Sequence, residues 1–136
     1  MKISYINPPQ LVTPRGYSHA VSVSGDFSTI YIGGQNAIDG HGNLVGKNSL
    51  IEQTGQVLDN IETILASVGG NLSSIVKLDI NLLVGQNPQE GFAAFLQKWD
   101  NNQNFPAITV RFVSGLGRPE WLVEIDAVAV VNKSID

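Results

Sequence analysis

Two carboxylates, Glu124 and Asp126, stand two residues apart in the otherwise aliphatic run Leu122–Val131. Successive side chains of a strand point to opposite faces, so Glu124 and Asp126 share one face with Leu122, Val128 and Val130. Val123, Ile125, Ala127 and Ala129 make the other face, apolar and mostly small, suited to close packing under helices. Buried carboxylates persist only when paired or hydrogen-bonded, so the mixed face points to a partner surface or a pocket. Two roles stay open for Glu124: positioning a water or ligand hydroxyl, or acting as an interface carboxylate satisfied by backbone amides. Tyr17 and His19 share a strand parity. His19 is an acid/base candidate near neutral pH, or a hydrogen-bonded histidine without chemistry, and a tyrosine at a strand start ordinarily packs its ring and exposes its hydroxyl. Gly33-Gly34 has neither the phosphate-loop pattern nor a following helix, which leaves close backbone approach to a ligand as its functional option. His41 sits in the turn sequence DGHGN without partners at ligand spacing, so no metal site is expected. No Ser-His-Asp arrangement has supporting local context.

The elements that must position these residues fit one domain, 1–136, long enough to bury its own core. With 8 basic and 12 acidic residues the formal charge is −4, and the positive footprint that nucleic-acid binding needs is missing. There is no cysteine, which excludes disulfides and thiolate chemistry together. The opening MKISYINPPQ lacks the apolar run of a signal peptide and no run approaches a membrane span, so a soluble cytoplasmic protein is expected.

Lys2–Asn7 predicts a short strand that stops at Pro8-Pro9. Tyr17–Ser24 and Thr29–Gly33, joined by Gly25-Asp26-Phe27-Ser28, predict a hairpin. Ser49-Leu50-Ile51-Glu52 has capping-box spacing, in which Ser49 caps and Glu52 reaches back. The apolar stripe of the helix is expected at Ile51, Leu58, Ile61, Leu65 and Val68, with Thr54 or Gly55 filling a gap and Gly69-Gly70 ending it. Val76–Val84 alternates Leu78, Ile80 and Leu82 against Lys77, Asp79 and Asn81, a half-buried strand. Asn87-Pro88 starts a second helix with Phe92, Phe95, Leu96 and Trp99 as its stripe, and Asp100–Asn104 releases the chain. Phe105–Val131 closes with two strands joined by a Gly/Pro-containing turn. The order β-β-β-α-β-α-β-β gives an α+β fold whose two helices cover one face of a six-stranded mixed sheet. Oligomerisation is the economical cover for the other face.

Gly16-Tyr17-Ser18-His19-Ala20-Val21, Ile32-Gly33-Gly34-Gln35, Phe105-Pro106-Ala107 and Arg118–Ala129 (RPEWLVEIDAVA) resemble the reactive-intermediate deaminase family, Rid or YjgF, over nearly the whole chain. The resemblance implies a chorismate-mutase-like fold and a homotrimer with its sheets facing inward and three clefts between subunits. It also implies cofactor-free hydrolysis of enamines and imines to a keto acid and ammonia. The family residue that grips the substrate carboxylate is an arginine directly after Pro-Ala, and that position here is Ile108. A family helix asparagine aligns with about Gly91 and a strand-end serine with Gly33, whereas Tyr17, Gly34 and Glu124 match retained family positions. Arg15, Arg111 and Arg118 are the candidate replacements, Arg111 lying on the strand face opposite Ile108 unless a bulge intervenes.

This reading makes Glu124 and Tyr17 the candidate catalytic residues, and Gly33, Gly34, Ile108, His19 and Arg118 the candidate ligand contacts. Tyr17, Gly34, Ile108 and Glu124 are expected in one pocket built by more than one chain. Isoleucine cannot hydrogen-bond a carboxylate, so the ordinary substrate would lose a pair worth about 1.5–3 kcal/mol. The favoured function is binding of a small carbonyl, imine or carboxylate metabolite in intersubunit clefts, without a cofactor and without standard 2-aminoacrylate deamination. A deaminase with a relocated arginine and a regulatory trimer without chemistry are the alternatives. Ribonuclease activity, attributed to some relatives, is opposed by the acidic balance.

Overall fold

The computed structural model describes residues 1–99 and 104–133. Its last strand, β6 (Val123–Asn132), is rich in valine and alanine and is hydrogen-bonded on both sides. It lies between β3 (Phe27–Gln35) and β4 (Ile75–Leu83), antiparallel to each. The strand β5 (Ala107–Val113) extends the sheet by pairing parallel to β4, giving the order β3-β6-β4-β5. A parallel neighbour requires a crossover, supplied here by helix α2 (Pro88–Lys98) between β4 and β5. Helix α1 (Leu50–Ala66) connects β3 to β4 through a short 3-10 turn at Leu72–Ser74. The fold is α+β with a mixed sheet and two helices, as expected from the sequence.

The strand pairing differs from expectation in two respects, since neither the single six-stranded sheet nor the hairpin of the second and third strands forms. The strands divide into the four-stranded sheet and a separate ribbon of β1 (Lys2–Ile6) with β2 (Ala20–Ser24). The expected hairpin of β2 with β3 does not form, because β2 spends its ladder on β1 and β3 spends its own on β6. The turn between them is tight enough that a Cβ on Gly25, at φ +98°, would stand 3.1 Å from the Met1 backbone. It leads the chain out of the ribbon and into the main sheet.

Both helices start at the expected caps, but the capping box at Ser49 is only half formed: Glu52 does not reach back, because the Ser49 N–H donates to the Gly46 carbonyl at 2.9 Å instead. Ser49 Oγ accepts from the Glu52 N–H, and the Asn87 side chain accepts from the Gln89 N–H with Pro88 at the first helical position. The stripe of α1 differs: Leu50, Val57, Leu58, Ile61 and Leu65 are buried with Gln53 and Thr54, whereas Ile51 and Val68 are exposed. Counting in steps of three and four from Leu50 places Thr54 and Leu58 on one face and turns Ile51 outward. On α2, Phe95 and Trp99 are buried and stacked at 4.5 Å, while Phe92 and Leu96 lie at its margin. The release expected over Asp100–Asn104 lies, except for Asn104, outside the described residues.

The core forms between the helices and one sheet face, where Val123, Ile125, Ala127 and Ala129 meet Leu50, Leu58, Ile61 and Phe95. The alternation in β4 has the same sense, with Leu78 and Leu82 inside. The opposite face carries Tyr31, which is 81% exposed, and the charged ladder around Asp79, Arg111 and Asp126.

Candidate functional site

At the β5 edge the helices do not close fully on the sheet, and a hollow of about 280 Å³ remains. Its floor is the helix-facing parity of three strands, including Ile80 and Leu82 of β4, Ile108 and Val110 of β5, and Val123 and Ile125 of β6. Gly91, Phe92 and Phe95 of α2 and Thr54 and Leu58 of α1 form its roof, and the loop Arg15-Gly16-Tyr17 its rim. The volume is close to the lower limit of roughly 300 Å³ for small-molecule sites. No acidic side chain lines it among the described residues.

Close packing of glycines shapes this cavity. Gly16, at φ +74°, approaches the Phe92 ring so closely that an added Cβ would stand 2.6 Å from ring Cε2. Only glycine adopts that backbone and spacing without strain. Gly91 lies inside α2, where an added Cβ would stand 3.7 Å from Thr54 Oγ1 and 3.7 Å from Leu50 Cδ2. The Thr54 hydroxyl therefore faces a position with no side chain. Thr54 is 3% exposed and its Oγ1 has no hydrogen-bond partner. Leaving such a hydroxyl unsatisfied costs about 1–3 kcal/mol.

The loop that carries Tyr17 is pinned from below. Ser18 is buried, its Oγ donates to the Phe105 carbonyl at 2.6 Å, and its N–H donates to the Pro106 carbonyl at 2.9 Å. Tyr17 is thereby held beside the start of β5, where Ile108 sits. Arg15, two residues away, is exposed and has no hydrogen bond or ion pair among the described residues.

The remaining candidates lie elsewhere in the chain. Glu124, Gly34 and Gly33 are absent from the lining of the hollow. Gly34 and Glu124 lie together at the β3–β6 bulge, where an added Cβ on Gly34 would meet Glu124 Cδ at 2.8 Å. Gly33 beside it is open, with nothing within 4 Å of an added Cβ. Within one chain the expected pocket is thus two places, because Glu124 and Ile108 belong to opposite sheet faces. His19 stands edge-on to Tyr17 at 5.4 Å, but its Nε2 bonds the Val12 carbonyl at 2.7 Å and it does not line the hollow. Tyr17 and His19 precede β2, so the strand parity expected to align them does not apply. Arg118 lies 5.4 Å over the Trp121 ring, also away from the hollow.

Arg111 lies opposite Ile108, as its spacing predicts, and its Nη1 bonds Asp79 Oδ1 at 3.1 Å. Asp79 also lies 3.5 Å from Lys77 Nζ and faces Asp126 in the strand register. Burial first, and then the Asp79 charge, push the Asp126 carboxyl above its ordinary value, while Arg111 and Lys77 oppose the rise. This is a compensated charge ladder on the open face rather than a general-acid pair.

Thr54, expected only to fill a gap in the helix stripe, and Gln53, outside that stripe, are both buried. Gln53 is fully buried, donates from Nε2 to the Gly46 and Glu120 carbonyls, and accepts the Leu122 N–H at 2.9 Å. It ties α1 to the segment that delivers Val123 and Ile125 into the floor. A polar residue at an inner helix position was the available signal for both.

A family model described as Endoribonuclease L-PSP matches residues 9–131. A RutC family protein of Pyrococcus horikoshii is 31% identical over 125 residues, 90% of this chain and 91% of that protein. The 2-iminobutanoate/2-iminopropanoate deaminase of Mus musculus is 32% identical over 128 residues, 94% of this chain and 89% of that protein. Among solved structures, the Rid-family protein YyfB of Yersinia pestis, described as of unknown function, superposes with a TM-score of 0.85 at 33% identity. That superposition covers 96% of this chain and all of the other, 100%. Among the described residues no helix is long and apolar enough to cross a membrane.

Proposed function

Because the chain belongs to the endoribonuclease L-PSP family, also called Rid or YjgF, we propose that it binds a small carbonyl, imine or carboxylate metabolite. The hollow beside Ile108 and Tyr17 is the binding site, and 2-aminoacrylate is not its substrate. One observation carries this reading: Ile108, the position at which the family resemblance places the substrate arginine, lines a hollow whose walls are almost entirely apolar. A short carboxylate lying on that floor would be desolvated without a partner. Gly33 and about Gly91, where the resemblance places the family serine and asparagine, offer no side-chain bond either.

The protein acts in the cytoplasm as a homotrimer closed through its open sheet faces, with no cofactor. The exposed Tyr31 and the charge ladder on a face that no helix covers support that assembly. In the trimer, Glu124 and Gly34 of one chain complete the cleft at the Tyr17 and Ile108 of another.

Arg15 favours a second reading, a deaminase with a relocated arginine, because it is the one basic residue lining the hollow among the described residues. Release of ammonia or pyruvate from enzymatically generated 2-aminoacrylate separates the two. An arginine-bearing family member is the control. We expect turnover at background; turnover within tenfold of the control would overturn the first reading and support the second.

A further inference from the structure

The inner end of the hollow lies between the two helices, and one buried group there is left without a partner. Thr54 is 3% exposed, lines the hollow, and its Oγ1 makes no hydrogen bond. A threonine inside a helix commonly bonds the carbonyl four residues back. Thr63, in the same helix, does so, its Oγ1 donating to the Asp59 carbonyl at 3.0 Å. Thr54 does not, which keeps its hydroxyl free for a group that enters from the hollow. Room for that group exists because residue 91 is glycine. Gly91 lies inside α2 and lines the hollow, and an added Cβ there would stand 3.7 Å from Thr54 Oγ1. That is ordinary van der Waals contact, so alanine would fit, yet the helix carries the less stable glycine. An oxygen entering beside Gly91 need sit only about an ångström nearer to Thr54 to reach the usual O–H···O distance of about 2.7 Å. The neighbouring lining, Leu58, Phe95 and Val123, is apolar, so a charged group at this depth would be desolvated, whereas a hydroxyl fits.

We propose that the space between Thr54 and Gly91 is a hydroxyl subsite, and that the ligand of the hollow is a small carbonyl compound whose tail carries a hydroxyl group. The tail hydroxyl bonds Thr54 Oγ1 while the carbonyl end lies toward Tyr17 and Ile108. This inference rests on the proposal that the hollow is the binding site, and it adds what the tail must carry. In a purely apolar hollow a tail hydroxyl weakens binding, because it loses water and gains no partner. On Thr54 it strengthens binding, so the sign of its effect decides.

The test is NMR titration of the whole protein with 4-hydroxy-4-methyl-2-pentanone and 4-methyl-2-pentanone, which differ by that one hydroxyl. A third ligand, 4-methyl-2-oxopentanoate, is the hydroxyl-free reference for occupancy of the hollow. The hydroxyketone should bind about two- to tenfold more tightly than the plain ketone, the worth of one net hydrogen bond. Thr54→Val, nearly isosteric, should remove that advantage and leave the plain ketone unaffected. The free variant should melt no lower, because an unsatisfied buried hydroxyl is gone. Gly91→Ala should remove the advantage by filling the room beside Thr54, and should raise the melting temperature, which separates the loss from unfolding. A purely structural threonine would change both ketones equally. Equal or weaker binding of the hydroxyketone, equal losses of both ketones in Thr54→Val, or an advantage that survives either substitution overturns the inference and leaves the hollow as the binding site. So does binding of 4-methyl-2-oxopentanoate with neither ketone. Absence of binding by all three ligands overturns both.

Discussion

Replacing Gln53 by methionine, which has nearly the same length and shape, removes three hydrogen bonds without opening a large cavity. The N–H of Leu122 is left buried and the Glu120 carbonyl loses its donor, whereas the Gly46 carbonyl keeps the Ser49 N–H at 2.9 Å. At ~1–3 kcal/mol for the buried N–H and less than that for the Glu120 carbonyl, the sum is about 2–4 kcal/mol. For a domain of this size each kcal/mol moves the melting temperature by roughly 3–5 °C, so a fall of about 6–20 °C is expected. Urea unfolding at fixed protein concentration measures it, with a lowered midpoint at unchanged slope. The same variant should bind 4-methyl-2-oxopentanoate more weakly, since Gln53 fixes the segment that places Val123 and Ile125 in the floor. A loss below about 1 kcal/mol would show that water replaces Gln53 and would refute its positioning role.

Gly16→Ala should cost about 1–2 kcal/mol, because alanine is strained at φ +74° and its Cβ forces Phe92 from 2.6 Å into the hollow; unfolding and ligand affinity should both register it. The raised Asp126 carboxyl penalises the folded state in full above its folded pKa, and the penalty is relieved as pH falls from there toward 3.8. Asp126→Asn should therefore raise stability near pH 7, by less than about 1 kcal/mol because solvent screens the site, and should remove that part of the pH profile. A stability loss would contradict the sign. Light scattering at micromolar concentration should give three times the mass of one chain, and a monomer would contradict the assembly.

Much of the fold was legible in the sequence because local signals and tertiary packing agree in it. The alternation in β4 and β6, the Ser49 and Asn87 caps and the Gly69 stop all survive folding. Pairing was less legible. Nothing local says that β2 prefers β1 to β3, since ladder partners are chosen by the whole sheet, and β3 gains the long aliphatic β6. The site was read in part. Ile108 and Tyr17 do line one hollow, whereas Glu124 and Gly34 lie on the other side of the sheet in the same chain. Parity could separate Ile108 from Arg111 within one strand, but it could not relate strands whose order was unknown. A stripe counted from Ile51, a residue that faces solvent, leaves Thr54 and Gln53 outside the expected buried face.

The account depends on the hollow being where the ligand binds. Isoleucine δ1-methyl NMR spectra of the whole protein, titrated with 4-methyl-2-oxopentanoate, test that directly. Ile80, Ile108 and Ile125 line the hollow, whereas Ile3, Ile6 and Ile51 do not. The account predicts saturable shifts at the first three methyls and none at the last three. Saturable shifts that spare Ile80, Ile108 and Ile125, or no shifts at all, would contradict it.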